Sequence, residues 1–266
     1  NCATEEERTR TAELIRPILR GRDIKRYGYE WAGLYLIATF PSRHYDIELY
    51  PAVKKFLLSF AKESLIESGY QWVADSYLEE FCKQKLEQSG RFIEIQGKRI
   101  RIGKDDEKSR KKTSNKWFET QDSISYWEDF SKPKIVWAEL ARTGNAFALD
   151  FENHMVGNTG YVLTCPSSSH QELLYLLAFL NSRSTLYSLN HLTTRFDENG
   201  WRWLRQFVEQ LHIPPFIQME NILSIVSSIN KENKRDISEE INNAIADIYG
   251  LSEEEVEYIN NSLLGY

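Results

Sequence analysis

The period of the apolar residues changes several times along this chain, and each change marks an expected element. Between residues 51 and 65, Val53, Phe56, Leu57, Phe60, Ala61 and Leu65 recur three and four apart, with Lys54, Lys55, Lys62 and Glu63 on the other face. That spacing predicts an amphipathic helix, stopped by Gly69. Residues 171–181 (QELLYLLAFLN) carry apolar side chains on almost every face, which predicts a buried helix, continued helically by 182–192. Met219, Ile222, Leu223, Val226 and Ile229 form a later stripe, and Ile237, Ile241, Ala244, Ile245 and Ile248 another. Asp236 and Glu239 stand at capping-box spacing for the second, Gly250 ends it, and Ser252 with Glu255 caps a last short helix. Residues 4–14 are helix-compatible but too short and charged to hold alone, and 77–86 is a weaker helical stretch.

Elsewhere the pattern is that of strands. Residues 34–40 (LYLIATF) predict one, ending at Pro41. Phe92, Ile93, Ile95, Ile100 and Ile102 alternate about Gln96-Gly97-Lys98 and predict a hairpin. After the turn Lys132-Pro133-Lys134, the run Ile135-Val136-Trp137 has the β-branched and aromatic make-up of a buried strand. Residues 146–149 and 161–163 predict two more strands joined through the turn residues 157–160, with a further turn at 197–200. Residues 207–213 are strand-like and lead into Pro214-Pro215. The expected fold is mixed α+β: a β-rich body with inserted helices over residues 1–216, then a helical segment, 217–266, packed back on it.

Composition narrows the class. With 41% hydrophobic and 13% aromatic residues among 266, the chain can fill a sizeable core and does not read as disordered. No apolar run approaches the roughly 18–20 residues of a membrane span. The opening NCATEEERTRTAEL is charged and lacks the apolar stretch of a signal peptide. Cys2, Cys82 and Cys165 are odd in number and widely spaced, which argues against a disulfide framework or zinc site and for a reducing, cytoplasmic setting.

The net charge of −6 is segregated. Residues 98–116 hold nine Lys/Arg and three Asp/Glu, and residues 8–26 hold seven and two, whereas 231–266 hold three and nine. Such a division suits a protein that presents one face to a polyanion. Catalytic chemistry is not visible. The histidines (His44, His154, His170, His191, His212) match no ligand spacing, no phosphate-binding, dinucleotide-binding or nucleophile-elbow glycine motif occurs, and no cysteine has a partnered base. Glu232-Asn233-Lys234 lacks the preceding Pro-Asp of a nuclease motif.

Several stretches, taken together, resemble a known family. Residues 17–27 (PILRGRDIKRY) resemble the opening motif of the TaqI-like C-terminal specificity domain, the target-recognition domain of adenine-specific DNA methyltransferases and of combined restriction–modification enzymes. The resemblance continues at residues 126–137 (YWEDFSKPKIVW), at Asn158-Thr159, at Leu180-Asn181-Ser182, at Ile213-Pro214-Pro215 and at Tyr249-Gly250-Leu251, in the family's order. It implies that residues 126–137 are shared scaffold with their aromatics in the core. It also implies a bacterial restriction–modification setting, with or without a fused endonuclease as in type IIG enzymes. The Asn/Asp-Pro-Pro-Tyr motif and the glycine-containing loop for S-adenosylmethionine do not occur here, so no catalytic, cofactor or metal residue is carried over; the resemblance implies that the cofactor and catalysis belong to an upstream methyltransferase domain of the parent polypeptide.

The expected partner is double-stranded DNA. Candidates for phosphate contact are Arg20, Arg22, Lys25, Arg43, Lys104, Lys108, Lys111, Lys112 and Lys116; candidates for base edges are Arg110, Asn115, Gln121 and Arg142. The basic run and the residues after it up to Gln121 are the foremost place to look for contact. The competing reading is a protein-interaction module that docks a catalytic partner through its aromatic surface and acidic helical tail.

Overall fold

The computed structural model of the chain describes residues 2–67, 78–79, 82, 92–95, 98–101, 114–141, 144, 146–167, 169–197, 200–216, 220–226, 228 and 238–263. In chain order they begin with helix α1 (Glu5–Leu14), strands β1 (Ile15–Leu19), β2 (Ile24–Lys25), β3 (Gly28–Tyr29) and β4 (Tyr35–Ile37), and helix α2 (Pro51–Glu67). Strands β5 (Phe92–Ile95), β6 (Lys98–Arg101), β7 (Lys134–Ala138), β8 (Leu140–Ala141), β9 (Phe147–Asp150), β10 (Met155–Val156) and β11 (Gly160–Leu163) follow. After them come helices α3 (His170–Leu180) and α4 (Arg183–Leu192), strands β12 (Arg195–Asp197) and β13 (Gly200–Arg202), and helices α5 (Arg205–Val208), α6 (Glu220–Val226), α7 (Ser238–Tyr249) and α8 (Glu253–Ser262). The fold is mixed α+β, as the pattern implies. Among the described residues no helix is long and apolar enough to cross a membrane.

Internal contacts group these elements into two compact units, residues 1–16 with 36–126, and residues 17–35 with 127–266. The C-terminal helices group with the 127–216 strands.

The second unit is built on β7. It lies between β11 and β9, antiparallel to both, with Val136 opposite Val162 and Ala148 and Trp137 opposite Tyr161 and Phe147. Because side chains alternate along a strand, its two faces fill two layers. Ile135 and Trp137 join Phe147, Leu173, Leu177 and Trp203 on one side; Val136 and Ala148 join Leu19 and Ile24 on the other. Covered on both faces, β7 has no solvent side and reads as a continuous apolar run. Helix α3 is buried on two faces, with Leu173, Leu177 and Leu180 toward the sheet and Tyr175, Ala178 and Phe179 toward Ile222, Val226, Ile241 and Ile245 of α6 and α7. That accounts for its apolar residues on nearly every face.

Lys134 and Asp150 stand directly opposite each other on β7 and β9, and both are wholly buried. Lys134 Nζ lies 2.6 Å from Asp150 Oδ2 and donates to the carbonyl of Phe130 at 2.9 Å. Asp150 also accepts from the backbone N–H groups of Glu152 and His154, and from the Tyr29 hydroxyl at 3.1 Å. His154 Nδ1 is 2.9 Å from its Oδ1. Burial pushes the Asp150 carboxyl up, but the Lys134 charge and the hydrogen bonds from Lys134 and His154 outweigh it and hold the group below its usual range.

In the first unit, Leu14, Ile47, Tyr50, Val53 and Phe118 form the core, with Trp117 packed against them. Two devices secure the marginal helix α1. Thr4 caps it, and the Glu7 carboxylate accepts from the backbone of Ala3 and of Ala52 at the start of α2. The expected hairpin forms as β5–β6, with Ile93 opposite Ile100 and Lys98 already in the strand opposite Ile95.

Several expectations change. Residues 207–213 contain no strand: α5 occupies Arg205–Val208 and irregular chain follows. The local i, i+4 links, Arg205 to Glu209 at 2.6 Å and Gln210 to the Gln206 carbonyl, outweigh a β-compatible composition there. The helix expected to run through 171–192 breaks at Asn181-Ser182, because the Ser182 hydroxyl caps a separate α4. Between the strands expected over 146–149 and 161–163 lies a further short strand, β10, and β7 pairs with both of them. Of the aromatics assigned to the core, Phe130 is buried, Trp127 half-buried and Tyr126 51% exposed, because the 3-10 turn Trp127–Ser131 aims only Phe130 inward. Strand β4 keeps only Tyr35–Ile37 of the expected 34–40. Gly69, Asp236 and most of residues 77–86 lie outside the described residues.

Lys134→Met leaves Asp150 buried without its cation and is expected to cost about 3–5 kcal/mol in urea unfolding. Lys134→Met/Asp150→Leu, an apolar pair of similar volume, is expected to cost much less. Because the folded pKa of Asp150 is lowered, its contribution is fully present above the unfolded value of about 3.9 and lost as pH falls through the folded value. Unfolding free energy measured from pH 6 to pH 3 should fall less steeply in Asp150→Asn than in the wild type.

Candidate nucleic-acid interface

In the second unit the basic stretch 20–26 is shaped by one carboxylate. Asp23 is buried and accepts from the Arg20 backbone N–H and from Arg20 Nε and Nη2, the last at 2.7 Å. This closes a 3-10 turn, Gly21–Asp23, immediately after β1. The hydrogen bonds from Arg20, against the opposing effect of burial, hold the Asp23 carboxyl below its usual range. Arg20 is therefore a clasp for the turn. Arg22 and Lys25 are exposed, and Lys25 Nζ donates to the Arg22 carbonyl at 2.9 Å.

The turn rests on β7. A Cβ at Gly21 would lie 3.1 Å from the Ala138 Cβ and 3.6 Å from Thr159 Oγ1, so a larger residue there would have to displace its neighbours. The β2–β3 hairpin that follows turns at Arg26-Tyr27, with Tyr27 in the left-handed region at φ 68°. Its backbone N–H donates to Phe147 at 2.9 Å, and Arg26 Nη2 donates to the Asn181 carbonyl at 2.6 Å. The Asn181 side chain, wholly buried, in turn bonds both the N–H and the carbonyl of Phe147. Tyr175 and Tyr249 donate to the Pro214 and His212 carbonyls, and burial pushes the Tyr249 phenol up to about 12.

In the first unit, Asn115 serves the turn it stands on. Asn115 Nδ2 donates to the carbonyls of Thr120 and Gln121, both at 2.8 Å. Lys116 is exposed, with Nζ 3.2 Å from the Tyr45 carbonyl and 5.6 Å from the centre of the Phe118 ring. Gln121 is exposed, and so is Arg43 on the 3-10 turn Pro41–Arg43. Phe118 and Trp117 belong to the core, so the aromatic half of that stretch is support. Lys104, Lys108, Arg110, Lys111, Lys112 and Arg142 lie outside the described residues. Among the described residues no group of His, Cys, Asp and Glu could hold a metal ion.

Sequence reasoning missed the Lys134–Asp150–His154–Tyr29 cluster, because Lys134 meets Asp150 only through strand pairing and Tyr29 reaches it from a distant strand. The one signal available was a Lys at one end of an apolar run and an Asp at one end of another.

The family model of the TaqI-like C-terminal specificity domain matches residues 79–213, half of the chain. The chain belongs to this family, whose members are sequence-specificity domains of DNA methyltransferase systems and serve target recognition in restriction–modification. No curated protein matches the chain.

The clasp separates two neighbouring arginines that look alike in the sequence. Asp23→Ala is expected to lower the urea midpoint at unchanged m, as a loss of native stability does. Arg22→Ala, which removes an exposed side chain, should leave the midpoint where it is. Equal losses from both would show that the turn does not depend on the clasp.

Proposed function

We propose that this chain reads duplex DNA for an adenine-N6 methyltransferase, and that the S-adenosylmethionine-binding catalytic domain lies upstream in the parent polypeptide, with or without a fused endonuclease. One observation carries the reading: the matched span 79–213 contains the basic run 98–116 and the scaffold strand β7 together. In this reading the lysines of the run (Lys104, Lys108, Lys111, Lys112), with Lys116 and Arg43, neutralise phosphates and set the register on the duplex. Arg110, Gln121 and Arg142 reach base edges, where an arginine on guanine is the commonest pairing. Asn115 is the weaker base reader, since its amide is already engaged by Thr120 and Gln121. The upstream domain rotates the adenine out of the stack, and this domain holds the duplex while it does so. The three cysteines are free thiols, which suits a reducing compartment.

Titration of the chain with duplex DNA at several salt concentrations tests the reading. Log affinity should fall linearly with log salt, by about 0.9 for each phosphate neutralised. A flat response, or no binding at low salt, overturns it. Charge reversal at Arg110, Lys111 and Lys112 together should weaken binding and make the slope shallower; unchanged affinity would make the run a solvated loop. Calorimetry of the chain with S-adenosylmethionine should give no heat of binding, and a micromolar signal would place a cofactor site within it.

A further inference from the structure

Strands β1 and β10 are parallel neighbours, with Ile18 opposite Met155 and Leu19 opposite Val156. Parallel strands end at the same edge, so the turns that leave them emerge together. Gly157 N–H donates to the Leu19 carbonyl at 2.9 Å, and the bare Gly21 lets the first turn settle against Thr159. The two turns therefore share one surface of the second unit.

The charge on that surface is one-sided. The clasp with Arg20 buries and neutralises Asp23, while Arg22, Lys25 and Arg26 stay exposed. Among the described residues Arg22 forms no ion pair. Lys25 is held beside it through the Arg22 carbonyl. Asn158 and Thr159 are exposed on the adjoining turn and add an amide and a hydroxyl. Two carboxylates border the surface: Glu30, 4.0 Å from Lys25, and Glu139, whose N–H donates to the Thr159 carbonyl and whose carboxylate is 4.0 Å from Arg202.

We infer that the turns 20–26 and 157–159 together grip the phosphodiester backbone of duplex DNA, Arg22 and Lys25 by charge and Asn158 and Thr159 as neutral donors. This rests on the DNA-reading function proposed above and adds to it a contact surface in the second unit, apart from the basic run. Cations paired with short neutral donors are the usual make-up of a backbone contact that carries no sequence information. Arg20 is a positioning residue, because its guanidinium is spent on Asp23.

The two halves of the surface leave different marks on binding. A cation that neutralises a phosphate releases counterions; a neutral donor does not. In the full 266-residue chain, Arg22→Ala/Lys25→Ala should weaken binding and make the log–log salt slope shallower by about 1.8. Asn158→Ala/Thr159→Val should weaken binding by about tenfold, as two neutral hydrogen bonds do, at an unchanged slope. Thermal unfolding matching the wild type shows that the exposed substitutions leave the fold intact. If Arg22→Ala/Lys25→Ala keeps wild-type affinity and slope while the reversal at Arg110, Lys111 and Lys112 loses both, this surface is not a DNA contact and the DNA-reading function stands. If the wild type shows no salt-dependent binding, both fail together. If the Arg22/Lys25 variant loses binding to poly-glutamate but keeps the duplex, the surface belongs to an acidic protein partner and the inference is overturned.

Discussion

The second unit depends on a pair of charges that cannot be moved. Lys134 and Asp150 are fully buried on neighbouring strands, and each charge is tolerable only because the other stands directly across from it. A slip of one residue between β7 and β9 would turn one of them to the opposite face and separate the two buried charges. Apolar residues along β7 would accept several registers at modest cost; this pair accepts one. The same carboxylate collects Tyr29 from β3 and His154 from the turn before β10, so fixing the register also fixes where the basic hairpin sits on the sheet.

The parts of the fold that were legible are those whose pattern is local and long. Helix α2 was expected from 51 to 65 and spans Pro51–Glu67, because its apolar stripe is complete within its own residues. The hairpin of β5 and β6 was legible for the same reason. What was not legible lay in contacts between distant residues. Lys134 reads as a turn residue by its charge, and only Asp150 makes it a strand residue. Strands β12 and β13 are three residues each, too short to show a period. Residues 207–213 had the composition of a strand, and helical bonds took Arg205–Val208 instead. In the candidate interface, Arg20 and Arg22 are indistinguishable on paper, and Asp23 alone separates a structural cation from an available one.

That separation bears on how a chain with a net charge of −6 meets a polyanion. The acidic residues near the basic turn are not simply absent. Asp23 is folded inward and neutralised by its own neighbour, so it fixes the geometry without contributing negative potential at the surface. The acidic residues of α8, beginning at Glu253, Glu254 and Glu255, instead stand in a helix's first turn, where a negative charge favours the helix.

The two units are interleaved along the chain: residues 17–35 belong with 127–266, and the stretch from 36 to 126 is placed between them in sequence. The family match begins at residue 79. A fragment cut to the matched span would retain Lys134, Asp150 and His154 but lose β1 to β3, and with them the Tyr29 hydroxyl and the Leu19 and Ile24 layer over Val136. The smallest stretch that keeps the sheet covered on both faces therefore starts well before the matched span, and a fragment cut to that span is shorter than the piece that must be expressed.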